Sequence, residues 1–128
     1  MLNRDGVYKT TYGAPRQILA NVDLQSSVGC IVPQTLGVTV GTKKIAKAGT
    51  PIKIDLGNLQ SVAVKGDGTN AMNAVLLHDV DVTAGNANGT ALVFGFVNLN
   101  RVEADVVTLI TTATGNANAS KLLTFMKV

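Results

Sequence analysis

Tryptophan is absent from this chain, and the other large aromatics are few: two Tyr and three Phe in 128 residues. The core must therefore be aliphatic, built from Val, Leu, Ile and Ala. There is one cysteine, Cys30, which excludes an internal disulfide framework and any multi-thiolate metal site. It reads as a small apolar residue, since burial is the usual fate of a free cysteine. There is one histidine, His78, and no motif links it to Cys30, so a thiol nucleophile with its base is not in view. His78 reads as structural, hydrogen-bonded to backbone or to a neighbour. No apolar run is long enough to span a bilayer. The opening MLNRDGVYKTTYG lacks the apolar stretch of a signal peptide. The expectation is a protein made and used without secretion or membrane insertion.

Hydrophobic residues make up 46% and charged residues 15%, which argues against global disorder. The length fits one domain able to bury a core. Abundant Thr, Gly, Asn and Val favour strands and tight turns over a helical bundle. Net charge is +3 but unevenly placed. Residues 1–65 hold eight basic against three acidic side chains, a surplus of five. Residues 66–128 hold three against five, a deficit of two. Such a split suits docking onto a charged surface. It is not a nucleic-acid signature, because the basic residues are not interleaved with aromatics and no recognition helix is evident.

The stretch from 73 to 101 organises the rest. Ala74-Val75-Leu76-Leu77 runs into the alternating His78-Asp79-Val80-Asp81-Val82. A Gly-Asn turn at 85–89 leads to Ala91-Leu92-Val93-Phe94-Gly95-Phe96-Val97. Short apolar runs of this kind predict strands covered on both faces. Asp79 and Asp81, two apart on a strand, read as a solvated face rather than a metal site.

Upstream, residues 1–20 read as a basic arm, with Arg4, Lys9 and Arg16, punctuated by Gly6, Gly13 and Pro15. Within it Val7-Tyr8-Lys9-Thr10-Thr11-Tyr12 is β-prone and suited to adding a strand to another chain's sheet edge, the alternative being a frayed chain end. Residues 21–128 read as one β-rich domain. Val28–Val32 ends at Pro33, which argues for an edge. Strands are expected at 36–40 and at 52–56, where Ile52, Ile54 and Leu56 share one face and Lys53 and Asp55 the other. A further strand is expected at 60–65. Lys43, Lys44 and Lys47 read as a solvated charge cluster. Gly66-Asp67-Gly68-Thr69-Asn70 is a turn: it lacks the repeated acids of a calcium loop and the GK[ST] of a phosphate loop. The one helix is expected at 103–112, capped by Asn100 with Glu103 three residues on, with a strand as the alternative because the segment is rich in β-branched residues. Its apolar face is Val102, Val106, Leu109, Ile110 and Ala113. Leu122–Val128 reads as a closing strand.

The order of these pieces carries a resemblance. A basic arm is followed by KAGTPI at 47–52, AVLLHDVDVTAG at 74–85, TALVFGFVNLNRV at 90–102, a short helix and a terminal strand. Over residues 34–128 this resembles the head decoration (capsid cement) and head fibre proteins of tailed bacteriophages. The resemblance implies a mainly β fold, a small β-barrel or β-tulip with one short helix and an extended N-terminal arm. It implies a homotrimer bound to the major capsid protein on the outer surface of the virion, stabilising the DNA-filled head. It implies no catalysis, no cofactor and no direct contact with nucleic acid or membrane. The arm residues Arg4, Val7, Tyr8, Lys9, Tyr12 and Arg16 are then the expected capsid contacts. The alternatives are the base of a head fibre or, in another class, a hydrolase using His78 with Cys30.

Overall fold

The computed structural model describes residues 17–127, apart from position 22. Nine strands and one helix follow in order: β1 (Ser26–Val32), β2 (Val38–Val40), β3 (Lys43–Ala46), β4 (Pro51–Lys53), β5 (Val64–Lys65), β6 (Ala74–Leu76), β7 (Val80–Asp81), β8 (Ala87–Asn98), α1 (Ala104–Thr114) and β9 (Leu123–Met126). The fold is mainly β with one short helix, as the composition led us to expect.

β8, 12 residues long, is the spine. The larger sheet runs β1-β8-β6-β4-β5, with β9 joined to β8. All its pairings are antiparallel except β8 with β9, which is parallel. Parallel neighbours need a crossover, and α1 supplies it. The smaller sheet runs β2-β3-β7.

Two aliphatic cores lie on opposite faces of the larger sheet. One gathers Val75, Leu92 and Val97 against Val106, Ile110 and Ala113 of α1. The other gathers Ala74, Leu76, Ala91, Ile52 and Val32 with Ala46, Val80 and Val82 of the smaller sheet and its exit. Consecutive residues of a strand point to opposite faces. That is why Ala74, Val75 and Leu76 are all completely buried, and why the sequence there shows no polar alternation.

The helix forms against its propensity. Its Val, Ile and Thr content is poor for helix, so packing of Val106, Ile110 and Ala113 must hold it. Thr108, Thr111 and Thr112 turn their hydroxyls back onto carbonyls four residues earlier. The start differs from expectation. Asn98, not Asn100, uses its side chain as a cap, and it caps the short 3₁₀ turn Leu99–Arg101. Glu103 is the N-cap of α1 with no side-chain capping bond.

Several strands are shorter than expected: the run 36–40 starts only at Val38 because residues 34–36 form a 3₁₀ turn, the closing strand spans Leu123–Met126, and three others are cut by local polar bonds. The run 74–82 breaks after Leu76, so β7 leaves for the smaller sheet. The run 52–56 ends at Lys53 because Asp55 Oδ1 accepts from Gly57 N. Leu56 consequently swings out to 65% exposure, away from the face of Ile52 and Ile54. The run 60–65 keeps only Val64–Lys65, since Asn58 Oδ1 accepts from Gln60 N and turns the chain there.

A closed barrel is not formed by the described ladders. The larger sheet curls until Ala63 N–H donates to Ile31 C=O at 2.9 Å, one bridge between the β1 edge and the approach to β5. One bridge is not a closing ladder.

Candidate functional site

Arg4, Val7, Tyr8, Lys9, Tyr12 and Arg16, the expected contacts of the arm, lie outside the described residues. The arm's root lies within them. Ile18 is fully buried and Leu19 nearly so, both in the helix-side core. Asn98 N–H donates to Ile18 C=O at 2.7 Å, and Ala20 N–H to Phe96 C=O at 2.8 Å. The Arg101 guanidinium reaches Gln17 C=O at 3.5 Å. The residues after 16 are therefore fastened to the second half of β8, beside the start of α1. A pull on the preceding segment would be delivered to the spine of the fold.

Of the three clustered lysines, Lys43 and Lys44 are exposed but Lys47 is not. Its side chain is 16% exposed, and Nζ donates to Glu103 Oε1 at 3.1 Å and to Asp105 Oδ2 at 3.0 Å. Burial works to lower the Lys47 pKa, but the hydrogen bonds to Asp105 and Glu103 outweigh it and hold the pKa above its usual value. The same hydrogen bond from Lys47 holds the Asp105 carboxyl below its usual range. The solvated-cluster reading is thus corrected for Lys47, which clasps the turn before β4 to the N-terminus of α1. Two acids at that end also suit the helix dipole.

The KAGTPI turn is anchored at every step. Ala48 N donates to Asp79 Oδ1 at 2.7 Å, and Gly49 N to Leu76 C=O at 2.7 Å. Thr50 Oγ1 donates to Lys47 C=O at 2.6 Å. Gly49 has φ +92°, and a Cβ there would meet both Val102 methyls at 3.1 and 3.2 Å. Only glycine meets both demands.

Asp79 and Asp81 do not share a surface. Asp79 is half-buried as the Ala48 acceptor, ahead of β7 rather than within it. Asp81 is exposed, and hydrogen bonds from Thr83 hold its carboxyl below the usual range. His78 departs from expectation too: its Nδ1 is buried without a hydrogen-bond partner. Cys30 is buried, and desolvation pushes its thiol pKa up, away from thiolate character. Among the described residues, no three His, Cys, Asp or Glu side chains gather where they could hold a metal ion.

What the described surface offers is apolar contact. Leu56, Val62 and Val64 stand exposed around an open cleft of about 500 Å³ that Lys53, Asn70 and Asn73 also line. All three residues of β2 are exposed, at the end of its sheet. Exposed apolar clusters and unpaired strand edges are features that macromolecular contacts use. The residues define a mainly β, helix-braced domain with its N-terminal segment tied to the central strand. No family model and no curated protein matches the chain.

Proposed function

We propose that this chain is a capsid decoration protein of a tailed bacteriophage, binding the outer surface of the major capsid protein lattice and stabilising the filled head. The observation that carries the reading is the rooting of the arm. A basic, β-prone segment leads directly into residues hydrogen-bonded to the longest strand. Backbone pairing of that segment with a capsid strand would transmit load through β8 into both cores. Weak contacts from several copies would add by effective concentration.

The test is co-sedimentation of the purified protein with capsids that lack it. Saturable binding at a fixed ratio to the capsid protein is the expected outcome. Deleting residues 2–15 should leave the domain folded and reduce occupancy. Unchanged occupancy of the truncated protein would sink the arm's role, and no binding to any expanded capsid would sink the reading itself.

A further inference from the structure

β8 changes partners along its length. Ser27 pairs with Leu92 but Ser26 with Phe94, so Val93 is an extra residue. This bulge reverses the alternation of the strand, and Phe94 and Phe96 stand half-exposed beyond it. Before the bulge, β8 lies between β1 and β6. After it, residues 18–20 take over the β1 edge, and β9 takes the other.

The outer edge of β9 is where this part of the sheet is left open. Gly95 N–H donates to Leu122 C=O. Successive residues of a strand turn their backbone groups to opposite edges. Leu122, Thr124 and Met126 therefore address β8, while Leu123 and Phe125 point their N–H and C=O outward. Among the described residues no strand pairs with that edge, and no hydrogen bond reaches those outward groups. Yet Leu123 is only 7% exposed and Phe125 is half-buried. Buried backbone groups are paired in folded proteins, so this edge calls for a further strand. Left uncovered, it would also be a template for aggregation.

The length of chain before residue 17, and the place where it joins the fold, select the occupant. Asn98 N–H donates to Ile18 C=O and Ala20 N–H to Phe96 C=O, so residues 18–20 run antiparallel to β8. The preceding segment thus departs at the end where β8 and β9 both finish. A strand on the outer edge of β9 would lie three strand spacings from residues 18–20, about 14 Å. The five residues 13–17 can span about 17 Å. Gly13 and Pro15 among them suit a change of direction. Immediately before them stands the β-prone Val7-Tyr8-Lys9-Thr10-Thr11-Tyr12. Reversal across the end of the sheet would set this run parallel to β9, which is four residues long. The short tether holds it there at high effective concentration. We infer that residues 7–12 close the β9 edge of their own chain by strand addition. This goes beyond the decoration reading and does not depend on it. Where that reading also holds, the arm exchanges its own edge for a capsid strand on docking.

The test is amide exchange by NMR on the full chain, without capsids, at several protein concentrations. In the parent protein the Leu123 and Phe125 amides should be protected alongside those of Thr124 and Met126. The double variant Lys9→Pro/Thr10→Pro removes two adjacent donors, one of which faces β9 whatever the register. In it Leu123 and Phe125 should exchange about tenfold faster or more. Thr124 and Met126 should keep their protection, which reports an intact β8–β9 pair. Three results would overturn the inference. One is fast exchange at Leu123 and Phe125 in the parent protein. Another is protection that survives the two prolines. The last is protection lost on dilution, which would assign the edge to the arm of a neighbouring copy. None of these outcomes bears on capsid binding, which co-sedimentation decides separately.

Discussion

Gly89 shows how tightly single positions are fitted. A Cβ there would lie 2.8 Å from a Val32 methyl and 3.0 Å from a Val80 methyl, both buried side chains. Gly29, on the strand alongside, would meet nothing within 4 Å. Gly89→Ala should cost about 1–3 kcal/mol by overpacking, whereas Gly29→Ala should be neutral or stabilise by a few tenths of a kcal/mol. Urea midpoints for the two variants, compared at equal slope, would decide the matter. Equal losses from both would mean that sheet geometry rather than the Val32 contact makes glycine necessary. The two residues look alike in sequence, for nothing local distinguishes a glycine pressed against a facing layer from one beside solvent.

The Lys47 clasp belongs to the scale of elements, because it joins a turn to a helix. A carboxyl held low in the fold adds stability above its unfolded pKa of about 3.9, and loses it as pH falls through the folded value. A lysine held high adds stability below its unfolded pKa of about 10.4, and loses it as pH rises through the folded value. Asp105 and Lys47 shift in those senses, so the clasp should be at full strength between about pH 5 and pH 9. Lys47→Ala should cost about 1 kcal/mol in that window, a figure discounted for the exposure of Asp105. The melting temperature would fall by about 3 °C, and the gap from the parent protein should close below pH 4. A gap unchanged at pH 3 would show that the lysine acts through its methylenes alone. The elements themselves were largely legible: β1 up to Pro33, β4, β6, β8, the helix and the closing strand follow from apolar periodicity and breakers. Their ends were not. Asp55, Asn58 and Asp79 stop strands by bonding backbone amides, and the partners of Asp79 and Lys47 lie 31 and 56 residues away. The bulge at Val93 carries no local mark, so Phe94 and Phe96 read as core. The arm's chemistry was legible only as charge and β propensity.

At the scale of the molecule, the two cores share one sheet. Leu92 faces the helix while its neighbour Ala91 faces the smaller sheet, so neither core can be lost without disturbing β8. Leu92→Ala should cost about 3 kcal/mol, a large part of the roughly 5–15 kcal/mol that holds a domain together. Amide exchange in α1 and in β3 should then quicken together, although only α1 shares a cluster with Leu92. Quickening confined to α1 would mean two separately unfolding units. Reversal of Arg4, Lys9 and Arg16 to Glu belongs here too: under the proposed decoration role it should weaken capsid binding at low salt and matter less as salt rises.

The position of β8 along the chain also has a consequence for biosynthesis. Seven strands leave the ribosome before residue 87, and among the described pairings only the β2-β3-β7 sheet and the short β6-β4-β5 ladder can form without β8. The larger sheet has no centre until β8 has been made, and its parallel partner β9 follows α1. A nascent chain in that condition carries unsatisfied edges for most of its synthesis, the state from which aggregates grow. Slower production at lower temperature should therefore raise the soluble yield of this protein.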